Sequence, residues 1–172
     1  MSVQDNVVYF AHGKESGPWG RKIKALAKVA RSHGCRVESP DYSSVKDPDE
    51  RVKMLLALKP QARKNLILVG SSMGGYVAAT ASSRLKVQGL FLMAPAFFRR
   101  GYRQADPKPK AKHTLIVHGW HDELIPAEHS FAYVKKYGGE LYVMDSDHGL
   151  ASALPQIKVL FDVFLDGVLN GR

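Results

Sequence analysis

The stretch Leu66-Ile67-Leu68-Val69-Gly70-Ser71-Ser72-Met73-Gly74-Gly75 decides how this chain of 172 residues folds. Its first four residues form an apolar run typical of a buried strand, and residues 76–84 have the pattern of a helix. A G-x-S-x-G sequence between a strand and a helix predicts a nucleophile elbow, a tight turn that strains the serine backbone. Gly70 and Gly74 are expected there because a Cβ atom would collide with the neighbouring strand or helix. Ser72 should therefore stand at the end of a sheet, with helix amides beneath it.

A bare G-x-S-x-G match also occurs in ordinary Gly- and Ser-rich turns, so the partners of Ser72 carry the argument. The strand-like run 114–118 leads to Asp122, and the run 140–144 leads to His148. Serine, carboxylate and histidine follow one another in the order expected when the three meet at one edge of a hydrolase sheet. We therefore predict Ser72 as nucleophile, His148 as base and Asp122 as the carboxylate that orients the base.

Each residue type suits its predicted role. A serine hydroxyl becomes a competent nucleophile when a base within hydrogen-bond reach accepts its proton. Histidine, with an ordinary pKa of about 6.5, accepts a proton near neutral pH, and a carboxylate fixes its tautomer. Other histidines near strand ends could be structural hydrogen-bonding groups, and other carboxylates compete with Asp122, although those closest to His148 are expected to cap their own loop. These histidines are His12, His118 and His121, and these carboxylates are Glu123, Asp145 and Asp147.

Two backbone N–H groups are expected to bind the oxyanion that forms when Ser72 attacks. One belongs to Met73, the residue after the nucleophile. The other should lie in the loop that follows the first strand, where Gly13 lets the backbone approach a bound carbonyl and Lys14 supplies the amide. His12 is expected to support this loop by hydrogen bonding rather than to react.

Strand and helix patterns alternate along the chain and predict a doubly wound α/β fold. Apolar runs without alternation, separated by helices, are typical of a parallel sheet that helices cover on both faces. Right-handed crossovers then bring ligands to the C-terminal ends of the strands, where all the candidate residues fall. The predicted strands are 7–11, 36–39, 66–70, 89–94, 114–118 and 140–145, and the predicted helices are 21–33, 49–58, 73–84, 127–137 and 150–169, with an interruption left open at Pro155.

Four motifs resemble those of a small, lidless α/β-hydrolase: the His12-Gly13 loop, the elbow 70–74, the turn His118-Gly119-x-x-Asp122…Pro126 and the loop Asp147-His148-Gly149. The resemblance spans nearly the whole chain. It implies a six-stranded, mostly parallel sheet in the order 2-1-3-4-5-6, with no cap domain. It also implies a serine hydrolase of carboxyl esters or thioesters that works through an acyl-enzyme and needs no metal or cofactor. Esterases, thioesterases and dienelactone hydrolases are the most similar groups, although dienelactone hydrolases use cysteine where this chain has Ser72.

Length and composition point to one domain over residues 1–172. Hydrophobic residues make up 45% of the chain and charged residues 24%, as in a globular protein with a buried core. No apolar run approaches about 18 residues, so no membrane span is expected. Residues 1–5 lack the pattern of a secretory signal, which favours a cytoplasmic location. The single cysteine, Cys35, is expected to be a buried structural thiol.

The chain carries 25 Lys and Arg against 16 Asp and Glu, a formal net charge of +9. Cations interleave with apolar residues at helical spacing in the segment 21–31, which indicates a solvated helix face. No nucleic-acid recognition motif accompanies the charge, so we expect a small-molecule acyl substrate rather than nucleic acid or membrane. The sequence does not give the oligomeric state.

The segment 94–112 lacks a helical pattern and is rich in Arg and Lys. It reads either as a mobile solvated loop or as a cationic rim that favours an anionic acyl substrate. Aromatic residues near strand ends could wall an apolar pocket beside Ser72, and Phe97 or Trp120 is the expected substrate-binding residue, together with Gly13. The other aromatic candidates are Trp19, Tyr76 and Phe98. A catalytically inactive binding module with the same fold is the alternative function.

Overall fold

A computed structural model describes residues 4–171. Within that range the chain forms one six-stranded sheet in the order β2-β1-β3-β4-β5-β6, and every neighbouring pair of strands is parallel. The predicted fold class and strand order are therefore confirmed. The elements are β1 (Asn6–Ala11), α1 (Arg21–Ser32), β2 (Arg36–Glu38), α2 (Pro48–Ala57), β3 (Asn65–Ser71), α3 (Met73–Ser82), β4 (Val87–Met93), β5 (Ala111–Gly119), α4 (Ala127–Tyr137), β6 (Glu140–Met144) and α5 (Leu154–Asn170).

Helices cover both faces of the sheet, which explains why its central strands are apolar at consecutive positions. Successive strand residues point to opposite faces. Val8 of β1 packs in the core under α1 and α5, whereas Val7 packs in the core under α2, α3 and α4. All seven residues of β4 are buried. β4 lies inside the sheet with helices on both faces, so its residues are buried and the polar groups of the site lie beyond the strand ends.

The register of the sheet brings the candidate residues to one edge. Ala11 pairs with Gly70, Ser71 with Met93, and Gly119 with Met144. The loops that follow β1, β3, β5 and β6 therefore leave the sheet at the same edge. These four loops carry the four motifs found in the sequence.

Element boundaries differ from the sequence prediction by a few residues. The largest difference is in the last helix, which begins at Leu154 rather than at 150. Leu150 has a φ of 58°, outside the right-handed helical region, so it cannot belong to the helix, and a turn at residues 152–153 precedes α5. Pro155 lies in the first turn of α5, where its missing N–H has no helical partner to lose, and it does not interrupt the helix.

Two further predictions concern Cys35 and the membrane. Cys35 is free and buried, and burial raises the pKa of its thiol to about 11, so it is an unreactive packing residue as expected. Among residues 4–171, none of the helices has the length and apolar character needed to cross a membrane.

Candidate active site

Ser72 stands on the elbow between β3 and α3. Its φ and ψ are 54° and −120°, a strained backbone conformation for a residue with a Cβ atom. Its N–H donates to the Met93 carbonyl over 2.9 Å, and its carbonyl accepts from the Ala96 N–H over 3.0 Å. The end of β4 therefore holds the strained turn in place, and the serine side chain projects from the C-terminal edge of the sheet.

Two glycines let the elbow close. A Cβ atom on Gly70 would overlap the carbonyl group of Gly74, and one on Gly74 would overlap the carbonyl group of Ala11. Backbone lies on the other side of both contacts, so no side-chain movement could relieve the overlap. The spacing of the G-x-S-x-G sequence is thus set by the close approach of β1, β3 and α3.

The structure brings Ser72, His148 and Asp122 together. The Ser72 Oγ lies 3.0 Å from His148 Nε2, and His148 Nδ1 lies 2.6 Å from Asp122 Oδ2. A carboxylate only accepts hydrogen bonds, so Nδ1 carries the proton and Nε2 is free to accept the proton of Ser72. This is the tautomer that a histidine base needs.

Asp122 is saturated with hydrogen-bond donors. Its Oδ1 accepts the N–H groups of Leu124 and Ile125 at 2.9 and 2.8 Å, and its Oδ2 accepts from His118 Nε2 at 3.0 Å as well as from His148. Burial alone would raise the pKa of Asp122, but these hydrogen bonds outweigh burial and lower it. Asp122 is therefore held as a carboxylate in one orientation.

His118 is the second imidazole on Asp122, and it is fully buried. Its Nε2 also lies 2.8 Å from the Ile125 carbonyl, and its Nδ1 lies 2.7 Å from the Ser130 Oγ. Because the carboxylate and the carbonyl only accept, Nε2 carries the proton and Nδ1 accepts from the Ser130 hydroxyl. Burial lowers the pKa of His118, against the opposing effects of Ile125 and Asp122. A neutral His118 is thus a positioning group for Asp122.

The loop after β1 is braced from beneath. His12 Nε2 accepts the Tyr42 N–H over 2.9 Å, so the proton is on Nδ1, which lies 2.8 Å from the Gly13 carbonyl. The buried guanidinium of Arg51 donates from Nη1 to the carbonyls of His12 and Gly13 at 3.2 and 3.1 Å. His12 therefore supports the loop, and Arg51 adds a second anchor that fixes the Gly13 carbonyl.

Two backbone amides beside Ser72 are free to bind a ligand. Within residues 4–171, neither the Met73 N–H nor the Lys14 N–H donates to another protein group. A peptide group is trans, so the Lys14 N–H points opposite to the Gly13 carbonyl and away from Arg51. A Cβ atom built on Gly13 would lie 3.6 Å from the Ser72 Cβ, so the loop and the elbow are adjacent.

Two of the three competing carboxylates have other partners. Asp145 lies 2.9 Å from His121 at the surface, and Asp147 accepts the Leu150 N–H over 3.1 Å. Glu123 is exposed. Asp122 is the carboxylate that reaches His148, as the chain order predicted.

A cavity of about 690 Å³ opens above Ser72. Gly13, Lys14, Met73 and His148 line it together with Ser72, and it is of the size that binds small molecules. Its other lining residues come from the first turn of α1, from the loops after β4, β5 and β6 and from the start of α5: Ile23, Ala96, Tyr102, Leu124, Ile125, Gly149, Ala151 and Leu154 among them.

None of the five aromatic candidates lines this cavity, contrary to the prediction. Phe97 is fully buried and stacks on Tyr133 with ring centroids 4.0 Å apart, in the core under α2, α3 and α4. Trp120 is 70% exposed. Tyr76 is buried and donates to Asp49 over 2.7 Å. The apolar wall is aliphatic instead, and Tyr102 is its aromatic member.

The loop from Ala94 to Lys110 is tied to the body of the protein. The hydroxyl of Tyr133 donates to the Pro107 carbonyl over 2.7 Å, and Lys136 pairs with Asp106 at 2.6 Å. Of the cations in this loop, Arg99 alone lines the cavity, among the described residues. Lys112, at the start of β5, lies in a depression at the other end of the sheet. Most of the basic segment is therefore remote from Ser72.

The sequence analysis did not identify three features of the site: Arg51, Lys22 and the contact between His118 and Asp122. Arg51 shares the buried face of α2 with Val52 and Leu55, and a cation on an apolar face was the available signal.

Across the described part of the chain, no three His, Cys, Asp or Glu side chains lie together in a way that could bind a metal ion.

Comparisons with known proteins agree with the fold. A model of an uncharacterised protein family, UPF0227, matches residues 6–108. A candidate hydrolase of the α/β superfamily from Xanthomonas campestris pv. campestris is 33% identical, with a TM-score of 0.87 over 94% of this chain and 99% of that one. Est1E from Butyrivibrio proteoclasticus is 17% identical (TM-score 0.81; 98% and 90% covered).

A serine hydrolase without a lid, also from Xanthomonas campestris, is 21% identical, with a TM-score of 0.73 over 96% of this chain and 83% of that one. No curated protein matches the chain. These neighbours share the α/β-hydrolase fold of this chain, and the one that is 33% identical supports a hydrolase.

Proposed function

We propose that this chain, which belongs to the uncharacterised protein family UPF0227, is a serine hydrolase that cleaves carboxyl esters or thioesters through an acyl-enzyme. One observation carries the proposal: the Ser72 hydroxyl lies 3.0 Å from His148 Nε2, while His148 Nδ1 lies 2.6 Å from Asp122. The strained elbow holds the hydroxyl at the mouth of a cavity of small-molecule size.

In the first step, the Ser72 Oγ attacks the carbonyl carbon of the substrate and its proton moves to His148 Nε2. The resulting imidazolium keeps its Nδ1–H bond to Asp122, whose negative charge stabilises it. Four donors hold Asp122, so the imidazole does not need to reorient as the charge develops.

The negative charge on the former carbonyl oxygen is proposed to be bound by the N–H groups of Met73 and Lys14. Both amides lack an acceptor among residues 4–171, and Gly13 brings the second of them close to the elbow. Anchoring of the Gly13 carbonyl by His12 and Arg51 sets the direction of the Lys14 N–H before substrate arrives.

The tetrahedral intermediate then collapses, the bond from carbon to the leaving oxygen or sulfur breaks, and His148 returns its proton to the leaving group. Water attacks the acyl-enzyme by the same route in reverse, with His148 again as base, and releases the acid. These steps use only side chains, backbone amides and water.

A serine-directed fluorophosphonate tests the proposal. We expect one label on the wild-type protein, at Ser72, and none on Ser72→Ala. The matched control is Ser83→Ala, an exposed serine at the end of α3, which should label like the wild type. A panel of p-nitrophenyl and coenzyme A esters, assayed with wild type and His148→Ala, then tests turnover.

The alternative is a catalytically inactive binding module with the same fold. It predicts no label on Ser72 and no turnover of any ester by the wild type. A label that persists in Ser72→Ala would equally contradict the proposed nucleophile.

A further inference from the structure

The residues that line the cavity above Ser72 include four that bear a cation and one that bears a carboxylate. The carboxylate is Glu15, and the cations are Lys14, Arg21, Lys22 and Arg99. No ion pair within 4.0 Å joins any of these cations to a carboxylate of residues 4–171. Elsewhere on the surface such pairs do form, for example Lys53 with Glu50 at 2.6 Å. The cavity therefore holds positive charge that the protein itself leaves unpaired.

Lys22 differs from the other lysines of α1. Lys24 and Lys28 extend into solvent as exposed side chains, whereas Lys22 is half-buried and lines the cavity. Burial lowers the pKa of Lys22, because a cation partly removed from water is less stable. A lysine that served only solubility would extend its flexible side chain into solvent and avoid the free-energy cost of partial burial.

Two carboxylates act electrostatically on Lys22 without forming an ion pair with it. Asp147 and Asp122 both act on it through space. Asp122 is already occupied by four donors, and Asp147 accepts the Leu150 N–H. Among the described residues, the Lys22 ammonium has no hydrogen-bond partner. It keeps three donors available to a ligand.

We propose that Lys22 binds an oxyanion of the substrate, so that this hydrolase acts on acyl esters or thioesters bearing a carboxylate or phosphate remote from the scissile carbonyl. The inference rests on the proposed function and names its substrate class. The cavity, at about 690 Å³, has room for an acyl chain of several carbons and its charged end. Lys14, Arg21 and Arg99 also line the cavity and add to the attraction of an anion.

Matched substrates distinguish the two sources of the anion. For an acyl-side carboxylate, the p-nitrophenyl monoester of glutaric acid is compared with its neutral methyl glutaryl counterpart. For a leaving-group phosphate, butyryl-coenzyme A is compared with the butyryl thioester of N-acetylcysteamine. We expect the wild type to prefer the anionic member of at least one pair by about tenfold or more, as a charge-assisted hydrogen bond allows.

Substitutions assign the preference to Lys22. In Lys22→Met, kcat/KM for the preferred anionic substrate should fall by about ten- to a hundredfold, and for its neutral counterpart by less than about twofold. Lys22→Arg should keep most of the preference, and the control Lys24→Met should keep all of it. Equal losses on both members of a pair, or no anionic preference in the wild type, would overturn the inference while leaving the hydrolase intact.

A binding measurement separates this inference from the proposed function. Calorimetry on Ser72→Ala with glutarate, and with coenzyme A, reads the anion site without turnover. We expect binding of one ligand that weakens by about tenfold or more in Ser72→Ala/Lys22→Met. Absence of turnover together with this binding would refute the hydrolase and retain the anion site. Binding that Lys22→Met leaves unchanged would refute the site.

Discussion

The charged groups that hold His148 and those that line the cavity differ in whether they have partners within the protein. In the acid network, formed by His118, Asp122 and His148, every polar side-chain atom has a hydrogen-bond partner. On the cationic wall, formed by Lys14, Arg21 and Lys22, no side chain has an ion-pair partner among the described residues. A saturated network fixes its geometry before substrate binds, whereas an unpaired cation gains its partner only when a ligand arrives.

Asp122→Asn breaks the saturated side and should have the largest effect. An amide can donate to His148 Nδ1 and so favours the wrong imidazole tautomer, while the packing changes little. We expect kcat to fall by about 10³- to 10⁴-fold, with an unfolding midpoint close to that of the wild type. Ester hydrolysis and circular dichroism measure the two quantities.

Asp145→Asn is the matched control, because Asp145 was one of the three competing carboxylates and pairs at the surface with His121. It should keep wild-type kcat. A large loss in Asp145→Asn, or a small one in Asp122→Asn, would mean that the acid network is not the part of the site that drives catalysis.

Arg51 differs from the cations of the cavity because its guanidinium has hydrogen-bond partners within the protein. It binds the His12 and Gly13 carbonyls instead of facing the cavity. Arg51→Met should lower kcat by about ten- to a hundredfold and change KM less, because a loosened Gly13 carbonyl misdirects the Lys14 amide. Stability should fall by about 1–3 kcal/mol, because the buried carbonyls of His12 and Gly13 lose a donor.

Steady-state kinetics and thermal unfolding test Arg51→Met together, and Arg51→Lys should fall between it and the wild type. Lys53→Met, an exposed change on the same helix, is the control. If Arg51→Met folds and retains wild-type kcat, the brace beneath the loop has no part in turnover.

Substitution of His118 tests whether its hydrogen bond to Asp122 affects catalysis in addition to orienting the carboxylate. His118→Phe removes one donor from Oδ2, so more carboxylate charge remains to stabilise the imidazolium of His148. We expect kcat to fall about three- to tenfold and the acid limb of the pH–rate profile to move to higher pH. His118→Gln, which keeps a donor, should restore the wild-type profile. A uniform loss at every pH would indicate a structural role alone.

The fold and the central residues of the site follow from local sequence. Apolar runs set the strands, and the glycines at 70 and 74 specify an elbow that only close backbone packing explains. Asp122 and His148 follow strands whose carboxyl ends must share an edge of the sheet. Each of these inferences needs only the direction of a strand and the order of the chain.

The pocket wall could not be inferred in the same way. Phe97 follows Ala94, which has a φ of 43°, and precedes Phe98, with a φ of 55°. Once the backbone leaves the extended conformation, alternation no longer tells which side a residue faces. Lys22 and Arg51 were missed for a related reason, because a long side chain on a helix can snorkel to solvent or fold inward, and tertiary packing decides.

The smallest expected effect concerns the pH dependence of stability, which the buried histidines control. Burial lowers the pKa of both His12 and His118 in the folded state. Below the unfolded value of about 6.5, the unfolded chain binds protons that the folded protein does not, so the free energy of unfolding should fall as the pH drops. The slope is at most about 1.4 kcal/mol per pH unit for each histidine.

Urea unfolding between about pH 8 and pH 5 measures this slope, and His118→Gln should flatten it by removing one of the two groups. Stability that rises on acidification would mean that the protein gains protons on folding, which is the opposite of what neutral, hydrogen-bonded imidazoles at His12 and His118 require.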